Sequence, residues 1–402
     1  AGALIDLIKT KKLKIDFFRS SYFYYFLALL IFIALGIING YFKHNSLSNI
    51  FFDSNNWFYF LLALPIFSVL QSDNSLRIIK QIFLTSIGWL SLKTLALAYF
   101  FSHNFSYFTL DLYRWVRLSG VGEITQVVPG FSRIFMQSHI FVLIGFFILL
   151  FYLLKNLQEK PNLLNRQNFS LIGFNALLLS CIIISFSRSF WLGLAAGGIF
   201  VWLVAIFKLK IKLKEFIIFN LAVLSIILVS LLLTAAVVKF PYPSTSGEFN
   251  AANLFEDRAT AVADEAGASS RWQLLPPLVE KIKAAPLLGQ GFGATVTYKS
   301  NDPRVLAANP GGNYTTYAFE WGWLDIWLKL GIFGLLAYLV LLAKIIFDGL
   351  KINSYFSLSL TAGLIVVSAV NIFSPYANHP LGIGYLLLAA IIMENLRFKA
   401  NL

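Results

Sequence analysis

Residues 215–238 read EFIIFNLAVLSIILVSLLLTAAVV and contain a single charged residue, Glu215. A helix needs about 20 largely apolar residues to cross a bilayer, so this stretch predicts a transmembrane helix. Nine further apolar stretches predict spans, although the second and the last of the ten are short: residues 20–41, 57–72, 79–101, 135–155, 168–186, 190–207, 323–345, 355–373 and 380–395. The sequence therefore predicts an all-α, polytopic transmembrane helix bundle of about ten spans.

The composition of the 402-residue chain supports the same fold class. Hydrophobic residues make up 58% of the chain, charged residues 13%, and the mean hydropathy is +0.73. A soluble domain is about 25% charged, so a water-soluble enzyme is excluded. We expect one integral-membrane domain over residues 1–402. The start at Ala1, without Met, is typical of processing or of a cloning remnant, and it leaves open an upstream segment.

The net charge of +13 has a simple explanation in a membrane protein. With the N-terminus in the cytoplasm, 18 of the 32 Lys and Arg residues lie in cytoplasmic segments, and only five lie in short outer loops and helix ends. This distribution follows the positive-inside rule. We therefore expect a multi-pass membrane protein with both termini cytoplasmic, surrounded by membrane lipids and without a nucleic-acid partner.

Two outer segments are longer than ordinary connections, at residues 102–134 and 239–322. The second lies between spans seven and eight and is the only piece of soluble-domain size. A loop of that length in a compact fold is usually functional. We expect residues 239–322 to form an extracytoplasmic loop with a functional role.

Arginines near the predicted outer surface are the candidate anion ligands. Arg188 lies between spans five and six, Arg133 precedes span four, and Arg271 begins a helical part of the long loop. A guanidinium forms paired hydrogen bonds with phosphate oxygens, which predicts an anion site. Alternatively, these are snorkelling or solvated arginines. His139 is a candidate base or a candidate acceptor or lipid contact; more often, a lone His is a hydrogen-bonded packing residue.

Glu320 lies among aromatic residues where the long loop enters span eight, in YAFEWGW at 317–323. Partial desolvation there would make its carboxylate a better base, whereas the alternative is a carboxylate favoured by a helix N-terminus. Trp321 and Trp323 are candidate acceptor or lipid contacts, or members of an interfacial belt. Lys93, deep in span three, is a candidate contact for an anionic lipid or substrate, or pairs with a neighbour.

Two further patterns favour structural roles. Asp325 and Lys329 have i,i+4 spacing, which favours an ion pair on one helix face. Residues 289–293 read GQGFG but do not follow a strand of a βαβ unit, so a tight turn is favoured over a nucleotide site. The residues predict no metal site and no cofactor.

Several segments together resemble the O-antigen ligase/polymerase family of bacterial membrane glycosyltransferases. They are SRSFWLG at 187–193, AAPLLGQGFG at 284–293, WGWLDIWLKLGIFGLLAYL at 321–339 and FSRIFMQSH at 131–139. The resemblance covers roughly residues 130–345 and lies in the ordered set of segments. Family ligases place a His-Asn pair just before the span that corresponds to 323–345, and here Glu320 and Trp321 stand in its place.

The resemblance implies a bacterial inner-membrane protein whose extracytoplasmic active site includes the loop 239–322. It also implies a donor glycan linked through diphosphate to a polyprenyl lipid, and a glycan or lipid acceptor. An acceptor hydroxyl would attack the anomeric carbon with Glu320 as base, while Arg188, with Arg133 or Arg271, would stabilise the leaving diphosphate. Ligase and polymerase, which differ in the acceptor, are both open. The alternatives are a transporter of small anions such as bicarbonate, and a non-catalytic membrane scaffold. Clustering of the candidate charges at the outer helix ends, Lys93 apart, favours the enzyme.

Overall fold

The computed structural model describes residues 16–70, 72–105, 109–247 and 266–400. Residues 248–265 of the predicted outer loop lie outside this part. In chain order the elements are α1 (Phe23–Phe42), α2 (Leu47–Ser54), α3 (Ala63–Val69), α4 (Asp73–Ser102), α5 (Thr109–Leu118), β1 (Gly122–Val128), β2 (Phe131–Met136), α6 (His139–Glu159), α7 (Arg166–Ser185), α8 (Arg188–Leu203), α9 (Leu213–Val238), α10 (Ala266–Lys283), β3 (Val296–Lys299), α11 (Pro303–Ala308), β4 (Asn313–Thr316), α12 (Gly322–Ile352), α13 (Tyr355–Val370) and α14 (Pro380–Ala400).

Within the described residues, eight helices are long and apolar enough to cross a membrane: α1, α4, α6, α7, α8 with its π-helical end, α9, α12 and α14. The shorter helix α13 is also apolar. The helices correspond to nine of the ten predicted spans. The prediction of an all-α polytopic bundle is confirmed.

The predicted span at residues 57–72 is not one α-helix. Residues Asn55–Leu62 form a 3₁₀-helix, and α3 follows directly. Pro65 lacks the N–H that would bond to the carbonyl of Leu61, so a continuous α-helix cannot run through this position undisturbed. The 3₁₀-helix buries Trp57 and Phe60 in the core, whereas Phe58, Tyr59, Leu61 and Leu62 are exposed.

The chain contains two compact units. Unit 1 comprises Ala1–Arg77, Asp257–Ile352 and Val370–Leu402, and unit 2 comprises Ile78–Glu256 and Asn353–Ala369. In unit 1, α12 packs against α1 and α14, and the 3₁₀-helix also packs against α14. The ring of Tyr338 on α12 lies 6.1 Å from Trp57 and 6.0 Å from Phe60, between ring centroids. This aromatic core fixes the position of α12.

In unit 2, α6 is the most buried span and packs against α7, α8 and α9. Helix α9 has the opposite character, since Leu221, Leu224, Leu228 and Leu232 are all exposed. Exposed leucines in such number are unfavourable in water but suit contact with lipid tails. The pattern supports the membrane assignment for α9.

Two small antiparallel sheets, β1 with β2 and β3 with β4, add to the predicted helices. Strands β1 and β2 lie in unit 2, within and just beyond the predicted outer segment 102–134. Ile124 faces Ile134 across the pair, and both are buried against Val116 and Ile184. These strands were not predicted, because their short apolar alternation is weaker than the hydropathy of the spans.

Candidate active site

The site in unit 1 is built around a break in α12. Gly331 has φ 71° and ψ 179°, a conformation that is essentially restricted to glycine. A Cβ at this position would lie 2.1 Å from the carbonyl oxygen of Leu287. The break therefore divides α12 into a short first part and a long second part.

Residues 286–290 fill the break. The N–H of Ile332 donates to the carbonyl of Pro286 at 2.9 Å, and the N–H of Gln290 donates to the carbonyl of Leu328 at 2.6 Å. Backbone groups released by a helix break need partners when water is excluded. The loop and the helix thus provide hydrogen-bond partners for each other's backbone groups.

The same loop packs against α1. The N–H of Phe292 donates to the carbonyl of Gly36 at 3.0 Å, and the Asn39 amide donates to the carbonyl of Gly289 at 2.9 Å. Gly289, Gly291 and Gly293 all have positive φ, with buried surroundings that leave no room for a side chain. The GQGFG motif is a tight buried turn, as the sequence analysis favoured.

A buried charge cluster lies beside the break. The Lys329 ammonium is 2.6 Å from Asp325 Oδ1, which confirms the predicted i,i+4 pair, and 2.5 Å from Asp53 Oδ1. Asp53 Oδ2 also accepts from the N–H of Gly293 at 2.9 Å, and Asp325 accepts from the amide of Asn378. Asp53 and Asn378 were not predicted, because they lie far from α12 in sequence.

The cluster forms part of the wall of a cavity of about 780 Å³. Other wall residues come from α10, from residues 298–320 and from residues 375–379. The volume is within the range of small-molecule sites in proteins. The cavity is therefore the candidate active site of unit 1.

Arg271 and Glu320, two of the predicted site residues, form an ion pair in the wall of this cavity. Arg271 is on α10, and Glu320 directly precedes Trp321 and α12. Their side chains are 36% and 51% exposed, so both remain accessible to a ligand. The indole N–H of Trp321 donates to the carbonyl of Arg271 at 3.0 Å, and its ring packs against Trp272 with centroids 5.3 Å apart. Through these two contacts, Trp321 positions the Arg271–Glu320 pair.

Another part of the cavity wall, formed by the β3–β4 pair, is aromatic and neutral polar. Tyr298 and Tyr314 face each other across β3 and β4 with ring centroids 5.8 Å apart. Burial, with Tyr314 and Asp302 nearby, raises the pKa of Tyr298, so its hydroxyl stays protonated at neutral pH. Aromatic rings beside hydroxyl and amide groups are suited to a ligand with apolar faces and many hydroxyls.

His379 also lines the cavity and was missed in the sequence analysis. A lone His in a short connection between the last two spans gives no spacing signal. Its Nδ1 accepts from the N–H of Leu381 at 3.3 Å, which assigns the proton of the neutral ring to Nε2. Burial lowers the pKa of His379, so the ring is neutral at pH 7. It offers a neutral donor to a ligand.

The other predicted residues have identifiable surroundings. Trp323, in unit 1, packs against Tyr338 with ring centroids 6.0 Å apart. Trp321 and Trp323 are not among the described residues that line the cavity. Lys93, in unit 2, lies over the ring of Trp115, 4.6 Å from its centroid. The two tryptophans and Lys93 therefore have packing partners within their own units.

Arg188 and Arg133 lie in unit 2. Arg188 is half-buried as the first residue of α8, between Ser187 and Ser189, whose hydroxyl oxygens are 3.0 Å apart. Arg133 Nε donates to the carbonyl of Ser185 at 2.9 Å, so it caps the end of α7.

His139 uses both ring nitrogens inside unit 2. The N–H of Met136 donates to Nδ1 at 3.2 Å, so Nε2 carries the proton and donates to the hydroxyl of Thr94 at 2.9 Å. The residue is fully buried. This arrangement agrees with the packing alternative that the sequence left open.

A multi-pass helix bundle with a polar cavity at a broken helix defines a membrane protein with a site for a small or extended ligand. Residues 173–339 match the model of the O-antigen ligase family, and this region includes Arg188, Arg271, Glu320 and the break at Gly331. The resemblance predicted from the sequence is thereby confirmed over that region. This match is consistent with a role in glycan transfer for cell-surface polysaccharide biosynthesis, and the long apolar helices are consistent with a multi-pass membrane protein. No curated protein and no solved structure matches the chain.

Proposed function

We propose that the protein is a glycosyltransferase of polymerase or ligase type. It moves a glycan from a polyprenyl-diphosphate donor to an acceptor hydroxyl at the extracytoplasmic membrane face, without a metal. The observation that carries the proposal is the Arg271–Glu320 pair in the cavity wall, within the region matched to the O-antigen ligase family. A cation and a carboxylate are the two groups that this transfer requires.

The reaction balances with these groups alone. The acceptor oxygen forms a bond to the anomeric carbon, and the bond from that carbon to the diphosphate oxygen breaks. Glu320 takes the hydroxyl proton, and the leaving electron pair stays on the diphosphate, whose growing charge Arg271 stabilises. Base catalysis typically contributes about 10²–10⁴-fold. The tyrosines and the neutral His379 support binding of a hydroxyl-rich chain.

Arg188 is proposed as a second anion-binding residue, located in unit 2. It combines a guanidinium with the N-terminus of α8, and both attract phosphate oxygens. The existing hydrogen bonds of Arg133 and His139 support structural roles for these two residues.

The test is deletion of the gene in its host, followed by complementation and gel analysis of the surface glycan. Rates are then measured with purified full chain and a synthetic polyprenyl-diphosphate glycan. Glu320→Gln should lose more than about 100-fold in transfer rate while still binding the donor. The control Glu280→Gln changes an exposed carboxylate of α10 that does not line the cavity and should transfer normally.

Arg188→Ala should abolish transfer, whereas Arg117→Ala, at an exposed arginine of unit 2, should preserve it. Loss of long chains with single capped units remaining indicates a polymerase. Long chains that stay on the lipid carrier indicate a ligase. An active, well-expressed Arg188→Ala protein contradicts the proposed anion-binding role of Arg188, and near-normal turnover of Glu320→Gln removes Glu320 as base.

One observation favours the second candidate, an anion transporter. Transporters place charged groups at broken helices, and Lys329 lies two residues before the break at Gly331. However, Lys329 is already held by two carboxylates, so the buried cluster presents no net positive charge to an anion. Uptake of labelled bicarbonate into proteoliposomes, with an unchanged surface glycan in the deletion strain, would support transport instead.

A further inference from the structure

Unit 2 contains a second cavity, of about 590 Å³, that the proposed glycan transfer does not use. It lies among the first turns of α4, the last turns of α6 and the first turns of α7. By the charge distribution, this end of the helices is the predicted cytoplasmic end. The cavity therefore opens at the level of the lipid headgroups.

Two cations face this cavity. Lys80 lies over the ring of Tyr152, 4.2 Å from its centroid, and Arg166 is the first residue of α7. In the part of unit 2 that the structure describes, neither forms an ion pair with Asp or Glu. The nearby Glu159 is paired with Lys155 at 3.8 Å. The cavity thus presents two positive charges to an anion.

The wall becomes apolar farther along each helix. Leu84 is four residues beyond Lys80 on α4, and Leu171 is five residues beyond Arg166 on α7. On the antiparallel α6, Leu149 comes seven residues before Asn156. At a rise of about 1.5 Å per residue, these leucines lie roughly 6–10 Å deeper along the helices than Lys80, Arg166 and Asn156. An ordinary soluble anion would leave this apolar part unfilled.

We infer that the cavity binds an acidic glycerophospholipid. Its phosphate and headgroup contact Lys80 and Arg166, and its acyl chains lie against Leu84, Leu149 and Leu171. Asn156 and Ser170 provide hydrogen bonds at the level of the glycerol. Basic pockets between transmembrane helices are suited to such headgroups. This site is independent of the proposed glycan transfer, since it uses none of the residues of that reaction.

The test is native mass spectrometry of the full chain, released from detergent with phosphatidylglycerol or phosphatidylcholine added. Lys80→Gln/Arg166→Gln should weaken phosphatidylglycerol binding on the order of 30-fold. The control Lys155→Gln/Lys160→Gln makes the same charge change at exposed residues outside the cavity and should bind as the wild type does. Ser170→Trp fills the cavity from an exposed position without altering charge and should also lose the lipid.

Retention of one phosphatidylglycerol by the wild type and the control, with loss in both cavity variants, supports the inference. Equal loss in the control double variant would show attraction by surface charge in general and overturn it. Equal binding of phosphatidylcholine would also overturn it. Full competition by millimolar glycerol phosphate would assign the cavity to a free phosphate ester rather than to a lipid.

Discussion

Replacing Lys329 by Met should destabilise unit 1 by about 3–5 kcal/mol, towards the upper end of that range. The ammonium lies 2.6 and 2.5 Å from two carboxylates, and all three side chains are almost fully buried. Removing one partner of a buried ion pair leaves an uncompensated charge, which typically costs this amount. Here two carboxylates would lose their cation and face one another across the vacated space.

The same helix offers a matched control. Lys344 pairs with Asp348 at 2.7 Å with the same i,i+4 spacing, but its side chain is 22% exposed. Asp348 also accepts from the hydroxyl of Tyr22 at 2.9 Å and lies 4.0 Å from Arg397. Because that carboxylate keeps partners, Lys344→Met should lower the free energy of unfolding by only about 1 kcal/mol.

The assay is reversible unfolding of the purified full chain by SDS in mixed micelles, followed by tryptophan fluorescence. A triple variant, Asp53→Asn/Asp325→Asn/Lys329→Met, should recover much of the loss, since no buried charge is then uncompensated. A Lys329→Met protein as stable as Lys344→Met would refute the reasoning. So would a triple variant less stable than Lys329→Met alone.

The remaining predictions concern backbone and pH. Gly331→Ala should lower the free energy of unfolding by at least about 2 kcal/mol, because its Cβ meets the Leu287 carbonyl in a backbone conformation reserved for glycine. Gly198→Ala, in open space on α8, should be neutral or stabilising in the same assay, and equal losses would contradict this. Burial lowers the pKa of His379 below its unfolded value of about 6.5, so its stabilising contribution is present above that pH and is lost as the pH falls. Between pH 7 and 5, the SDS midpoint of unfolding should therefore fall more steeply for the wild type than for His379→Gln. Parallel pH profiles of the two proteins would contradict this expectation.

Local sequence features predicted most of the fold. Nine apolar runs became helices because span length is set by the bilayer and by nothing distant in the chain. The Asp325–Lys329 pair was predictable for the same reason, since one helix carries both residues. The 57–72 run differs because it begins as a 3₁₀-helix, of which Trp57 and Phe60 are buried in the core.

The site was only partly predictable. Arg271 and Glu320 were selected individually, but their pairing depends on how α10 meets the start of α12. The contact of Asp53 with Lys329 joins residues 276 positions apart, so only the three-dimensional structure reveals it. His379, which lines the cavity, is not part of a sequence motif. The break at Gly331 was hidden as well, because a glycine in an apolar span does not by itself indicate a break.

The buried turn at 289–293 has a consequence for biogenesis. It bonds to Asn39, 250 residues earlier, and Ser21 bonds to Glu394, 373 residues later. Contacts between such distant parts of a chain close slowly. During synthesis α1 enters the membrane long before its partners exist, and unit 1 is completed only when the last helix has left the ribosome. The first helices of unit 1 therefore remain in the lipid without their later partners, accessible to membrane quality control, until α14 has been synthesised.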